Sequence, residues 1–241
     1  MKLSLVIPCY NEEKGVANLH THLSPVLDQL EKEWSLEVIF VDDGSKDRTV
    51  EFLKKHFCAR NYVKIIKHET NKNLGAALRT GFEHATGDII ITMDSDCTYD
   101  PQGIFPMLKL LDGDTHIVTA SPYHPLGGIK NVPKYRLFLS KSITSLYRWL
   151  TGAKLYTFTA LFRAQRKEVI KNIHFKSNDF LATAELLISA INKGYKVKEY
   201  PMVLSVREFG ESKMKLLTVI WSHFKFALSL VPQRIKRVIK A

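Results

Sequence analysis

Short apolar runs ending in polar, turn-forming residues recur along the first half of the chain, and stretches of helical periodicity fill the intervals between them. Leu3 to Ile7, Leu36 to Val41, Val63 to Lys67, Asp88 to Met93 and His116 to Ala120 read as strands. The Ile-rich fourth run, bounded by Gly87 and Pro101, has the continuous apolar character of a strand buried on both faces. Asn11 is placed to cap a helix reaching about Lys32, a second helix covers Arg48 to Phe57, and Asn71-Lys72-Asn73-Leu74-Gly75 opens a third through Ala85. Strands alternating with helices at this spacing predict an α/β fold with a doubly wound, mostly parallel sheet. Further on, a Gly/Pro-rich stretch from Ser121 to Pro133 precedes a helix from Tyr135 to Leu150. A strand at Thr157 to Arg163, a helix from Asp179 to Asn192, a strand at Lys196 to Val206 and a terminal helix from about Lys215 complete the expected elements. No linker divides the chain, so residues 1–214 read as one domain and 215–241 as a C-terminal amphipathic basic helix.

With 241 residues, 45% of them hydrophobic, and no low-complexity tract, the chain is large enough for a substantial core. Cys9, Cys58 and Cys97 are odd in number and lack a C-x-x-C spacing, which argues against a disulfide framework or zinc site and for a reducing compartment. The apolar stretch after Met1 is too short for a signal-peptide core and is stopped by Pro8. A formal net charge of +11 points to an anionic partner: nucleic acid, a phosphorylated substrate or acidic lipid. A solvated basic surface fits the charge equally. Nucleic acid is the poorest of these, because the basic residues do not interleave with aromatics and no binding motif is present.

The polar strand ends change the picture. In an open α/β sheet, ligands bind at the carboxyl ends of the strands. Pro8, Tyr10 and Glu12 follow the first strand, Asp43 the second, Gly75 opens the third helix, and Asp94-Ser95-Asp96 follows the fourth. Tyr10 suits stacking on a base, Asp43 accepts from a base N–H, and Gly75 permits close backbone approach. Alternate residues project to one side, so Asp94 and Asp96 can converge on a divalent cation that holds a diphosphate. Each motif alone is also ordinary turn or cap chemistry.

Together, Ile7-Pro8-Cys9-Tyr10-Asn11-Glu12, Val41-Asp42-Asp43-Gly44-Ser45, Asn73-Leu74-Gly75 and Met93-Asp94-Ser95-Asp96 resemble family 2 glycosyltransferases of the GT-A fold. Val132 to Arg136 and Arg207 to Met214 look more narrowly like the polyprenyl-phosphate (dolichol-phosphate) mannose synthases. The resemblance implies transfer of a hexose from a nucleotide-sugar to a polyprenyl phosphate, by single displacement with inversion, at the cytoplasmic face of a membrane. It places nucleotide contacts on Pro8, Tyr10, Glu12, Val41 and Asp43. The aspartates Asp94 and Asp96 then flank Ser95 at an Mg²⁺ or Mn²⁺ ion, and Arg136, Arg207 and Lys213 handle phosphates. The chemistry agrees: an acceptor phosphate is already anionic, so the main need is to stabilise the departing nucleoside diphosphate.

Two positions depart from the pattern. A glutamine often found as a further metal ligand is Thr98 here, and a G-S-R segment reads Ala120-Ser121-Pro122. His124 stands near the missing arginine, either as its substitute or as a loop histidine, and Glu185 lies where the family tends to carry a carboxylate. The family favours GDP-mannose as donor; loss of the arginine keeps UDP-sugars such as UDP-glucose open. A saccharide acceptor, or a nucleotide-sugar or anionic-lipid binding protein without turnover, are the rival readings. For the lipid, the apolar stretch Leu216 to Val231 is interrupted by His223 and Lys225 and is shorter than the ~20 residues of a spanning helix. Trp221, Phe224 and Leu228 among basic residues suit a helix lying in the interface. From Arg207 onward eight Lys/Arg face two Glu, a local balance of +6 that attracts anionic headgroups. The chain is therefore expected to be peripheral and monotopic, or to rely on a separate membrane-anchoring partner.

Overall fold

The computed structural model describes residues 1–206 and 216–240. The strands are β1 (Lys2–Cys9), β2 (Ser35–Asp42), β3 (Val63–Lys67), β4 (Ile89–Thr92), β5 (Ile117–Ser121), β6 (Gly128–Lys130), β7 (Arg163–Arg166), β8 (Val197–Pro201) and β9 (Val203–Ser205). The helices are α1 (Val16–Leu30), α2 (Thr49–Phe57), α3 (Leu74–His84), α4 (Ile104–Leu110), α5 (Lys134–Thr151), α6 (Lys167–Asn172), α7 (Leu181–Asn192) and α8 (Leu216–Lys240). Seven strands form one sheet in the order β3-β2-β1-β4-β7-β5-β8, and β6 pairs with β9 in a second, small sheet.

Strand periodicity sorts the core into two layers. Leu3, Leu5, Ile7, Val38, Phe40, Ile89 and Ile91 pack under α1, α2 and α4, while Val6, Ile39, Val41 and Ile90 pack under α3, α5, α7 and α8. Parallel pairing of β1 with β2 and β4, and of β2 with β3, brings the ends of all four strands to one edge. At the opposite end, the buried Glu37 carboxylate accepts from Ser4 Oγ (2.8 Å), Lys64 Nζ (2.8 Å) and Thr86 N (2.9 Å). Burial alone would raise its pKa; these donors and Lys2 outweigh it and bring the group down to about 2.

Three expectations are corrected. Asn11 does not cap α1: it adopts a left-handed φ of 52°, its Oδ1 accepts from Lys46 N, and the helix begins only after Gly15. Asparagine serves both roles, and here the turn won. Thr157 to Phe162 is irregular, and the strand starts at Arg163, running antiparallel between β4 and β5. Lys196 to Val206 is two strands broken at Met202, one in each sheet. The helix expected from about Lys215 is α8. Its Val219, His223, Ala227 and Leu230 are buried, and it packs on α5 and α7. No described helix is long and apolar enough to cross a membrane.

Candidate functional site

The turn after β1 and the turn after β2 are stitched together by side chains. Asn11 N donates to Ser45 Oγ (2.8 Å), Glu12 N to Thr49 Oγ1 (2.8 Å) and Arg48 N to Glu13 Oε2 (3.1 Å). Pro8 and Tyr10 are half-buried on this edge, whereas Glu12 is buried. Val41 is fully buried within the sheet layer that packs under α3, so its side chain belongs to the core.

Asp43 is the most elaborated residue at the edge. Its buried carboxylate meets His68 Nδ1 at 2.7 Å and accepts from Lys72 N at 2.9 Å through Oδ1, and from Asn71 Nδ2 at 2.8 Å through Oδ2. These contacts leave acceptor capacity on Oδ2. His68 Nε2 in turn lies 2.9 Å from Thr80 Oγ1 on α3. The loop these bonds hold crosses directly over Gly44, at a φ of +71°, where a Cβ would stand 2.4 Å from the Thr70 carbonyl carbon. His68 was missed in the sequence, although it follows β3 as Asp43 follows β2.

Gly75 does permit a close approach, but the approaching group belongs to the protein. A Cβ there would lie 2.1 Å from the Ser177 carbonyl oxygen, and Gly75 N donates to Asn178 O at 2.6 Å. The glycine therefore lets the loop before α7 seat on the start of α3.

After β4 the triplet fans out. Asp94 lines a cavity of about 180 Å³ with Thr98, Tyr99, Pro122, Thr157, Thr159 and Thr183 among its walls. Asp96 lines a neighbouring cleft of about 700 Å³, shared with Thr98, Asn18, His22 and Lys130. Thr98 borders both, and its N–H donates to Asp96 Oδ1 at 3.1 Å, fixing that carboxylate. Ser95 is buried and hydrogen-bonds Cys9, whose thiol is pushed well up by burial and by the nearby Glu12 and Asp42 carboxylates. Asp94, Asp96 and Thr98 carry oxygen ligands of the kind a hard cation takes, with Thr98 at the border between the two carboxylates' cavities. Among the described residues no three His, Cys, Asp or Glu side chains gather as a metal cage.

The irregular segment 152–162 forms one wall of the cavity and is held by side chains. Glu199 accepts from Tyr156 N (2.9 Å) and Thr157 N (2.9 Å), Ser121 Oγ and Thr157 Oγ1 lie 2.9 Å apart, and Thr92 Oγ1 donates to Leu161 O. Glu199 escaped notice as one carboxylate within a strand. His124 Nδ1 accepts from Leu126 N (3.2 Å), and its ring meets Tyr156. Glu185 binds the backbone N–H groups of Lys176 and Ser177 at 3.0 and 2.9 Å. Arg136 lies in the first turn of α5, and Arg207 and Lys213 lie outside the described residues.

The paired helices α5 and α8 each present exposed large apolar side chains. Phe138 (71% exposed) and Trp149 on α5 accompany Leu217, Trp221, Phe224 and Leu228 on α8. Trp221 stacks on Phe224, and Lys225 covers the Trp221 ring.

The sequence model of Glycosyl transferase family 2 matches residues 4–174. The chain is 32% identical over 222 residues to a dolichol-phosphate mannosyltransferase of Pyrococcus furiosus, covering 91% of this chain and 61% of that protein, less than two thirds of its length. It is 31% identical over 234 residues to a polyprenol monophosphomannose synthase of Mycolicibacterium smegmatis, covering 92% of this chain and 84% of that one. Among solved structures, glucosyl-3-phosphoglycerate synthase from Mycobacterium tuberculosis in complex with Mn²⁺, UDP and glucosyl-3-phosphoglycerate superposes with a TM-score of 0.70 at 18% identity, covering 97% of this chain and 79% of that one. The same enzyme with Mg²⁺ and UDP gives 0.69 at 18% identity, with the same coverage. At that identity the likeness is one of fold.

Proposed function

The chain belongs to glycosyl transferase family 2 and carries the GT-A fold, and on that premise we propose that it transfers mannose from GDP-mannose to a polyprenyl phosphate at a membrane surface. The observation that carries this reading is that both relatives, matched over nine tenths of the chain, are named for mannosyl transfer involving a polyprenol. Tyr10 stacks on the base, and Asp43 Oδ2 accepts from its ring N–H. Asp94, Asp96 and Thr98 would hold Mg²⁺ or Mn²⁺. Bound there, the cation would supply Lewis-acid stabilisation of the leaving diphosphate.

Arg136, Arg207 and Lys213 hold the acceptor phosphate beside the sugar. One of its oxygens bonds to the anomeric carbon as the bond to the diphosphate breaks, and both electrons of that bond leave with the nucleoside diphosphate. No proton has to be removed from the nucleophile, so no general base is needed. The exposed apolar face of α5 and α8 rests in an anionic bilayer. Charge complementarity supports that occupant, since residues 216–240 carry five Lys/Arg and no Asp or Glu.

The test is a transfer assay with radiolabelled GDP-mannose or UDP-glucose, Mn²⁺ and polyprenyl phosphate in phosphatidylglycerol-containing vesicles. Label from GDP-mannose moving into the organic phase is the expected result. Transfer from UDP-glucose alone would establish the second reading, favoured by uncharged Pro122 on the cavity wall. No organic-phase label from either donor overturns the proposal.

A further inference from the structure

Arg163 opens β7, and because β7 runs against its neighbours, its first residue pairs with Thr92 at the substrate edge of β4 and with Thr119 in β5. The side chain is 3% exposed. Its Nε donates to Thr119 Oγ1 (3.3 Å), Nη1 to the Thr183 carbonyl (2.5 Å) and Nη2 to the Phe158 carbonyl (2.7 Å). Every one of these acceptors is neutral, and among the described residues Arg163 makes no ion pair with a carboxylate. Burial draws its pKa down to about 9, with Tyr99 opposing, so it remains charged at neutral pH.

An unpaired buried cation is expensive, and proteins otherwise neutralise such groups. The position of this one indicates its use. Thr183 and the neighbours of Phe158, Thr157 and Thr159, all line the cavity that contains Asp94, and none of the described residues on that wall is Lys or Arg. Tyr99 lies in the fields of both Asp94 and Arg163. The guanidinium thus stands behind the wall of the cavity that Asp94 lines.

We propose that Arg163 is the buried counter-charge of this cavity, fixed by three neutral oxygens and directed at a phosphate group that binds beside Asp94. The inference rests on the donor reading above. With a divalent cation held at Asp94, the positive charge of Arg163 would add to that of the ion at the phosphate. In a dry wall its field is weakly screened, and its anchors hold it without reorganisation. It touches no substrate and acts across the wall, as a positioning charge.

Calorimetric titration with Mn²⁺ present tests this, using GDP and UDP, their parent nucleosides, and farnesyl phosphate as a short acceptor. In Arg163→Met the affinity for the diphosphate falls at least tenfold while that for the nucleoside holds, and Arg163→Lys recovers most of the loss. A selective loss for farnesyl phosphate instead assigns the charge to the acceptor phosphate. Equal weakening of diphosphate and nucleoside, with no recovery in the Lys variant, means a structural role and overturns the inference. Should Arg163→Met not fold, Arg163→Lys decides alone: it keeps the charge, and loss of its preference for diphosphate over nucleoside overturns the proposal. Intact binding of both the diphosphate and farnesyl phosphate in Arg163→Met overturns this inference only, whereas no diphosphate binding by the unaltered chain overturns the donor reading with it.

Discussion

Asp43 Oδ1 and His68 Nδ1 lie 2.7 Å apart in a buried contact, and the far side of the imidazole reaches Thr80 Oγ1 on α3. The Asp43 carboxylate is therefore positioned from beneath by α3, the third element after β2. Replacing His68 with Ala removes a hydrogen bond to a charged group, worth about 1.5–3 kcal/mol. Nucleotide affinity in calorimetry is expected to fall roughly tenfold or more. His68→Asn, which keeps one donor, should lose less; equal loss would mean the histidine only fills space.

Asp96 is fixed by the N–H of Thr98 at the boundary of cavity and cleft. Asp96→Ala is expected to abolish sugar transfer while leaving vesicle sedimentation and the melting curve close to those of the unaltered chain. Stabilisation by Mn²⁺ plus nucleotide, read as a rise in melting temperature, should vanish with it. A variant that still transfers at a normal rate would remove Asp96 from the reaction.

Gly75→Ala places a methyl group against the Ser177 carbonyl. Overpacking of this kind costs about 1–3 kcal/mol, and here the obstacle is backbone. Urea unfolding should show that loss, accompanied by weaker donor binding as the loop before α7 lifts from α3. An unchanged midpoint would mean that the loop relaxes freely.

Acid should destabilise the fold in two stages. Burial lowers the pKa of His223, hydrogen-bonded to Tyr147 Oη at 2.7 Å, from 6.5 to about 4. The unfolded chain takes up this proton first, so stability is complete above pH 6.5 and declines toward pH 4, by up to about 3 kcal/mol. Glu37 shifts from 4.5 to about 2, so its contribution is present above pH 4.5 and is lost as pH falls toward 2. Chemical denaturation across this range should show both stages. His223→Gln should flatten the upper one and Glu37→Gln the lower.

Trp221 and Phe224 stack on the exposed side of α8. Changing both to Ser should leave stability within about 1 kcal/mol, as expected at exposed sites. Sedimentation with phosphatidylglycerol vesicles should fall at least tenfold, and transfer to a water-soluble acceptor phosphate should persist. Undiminished sedimentation would separate this face from the membrane.

The parallel half of the sheet was readable because each strand is an apolar run and each run stops at residues unsuited to a ladder. The same contrast exposed Asp43, Asp94 and Asp96, since charge immediately after a buried strand must reach an edge. What escaped was set by pairing at long range. Nothing local says that Arg163 opens a reversed strand between β4 and β5, or that Glu199 holds backbone amides some forty residues earlier in the chain. Gly75 was legible as a place of close approach, but its partner, Ser177, lies a hundred residues on. Asn11 was misread because one side chain suits two local structures that only the neighbouring turn distinguishes.

The reversed run of β7 divides the labour of the edge. Every parallel strand contributes the loop that follows it, whereas β7 contributes the segment that precedes it, 152–162. That segment is anchored by Glu199, Ser121 and Thr183, all distant from the turns around Asp43. Substitutions in it can reshape the cavity without shifting the register of β1, β2 and β3. On the proposed function, the sugar transferred can change while the turns around Asp43 stay as they are, and variation among relatives that use different sugars should concentrate in this one wall.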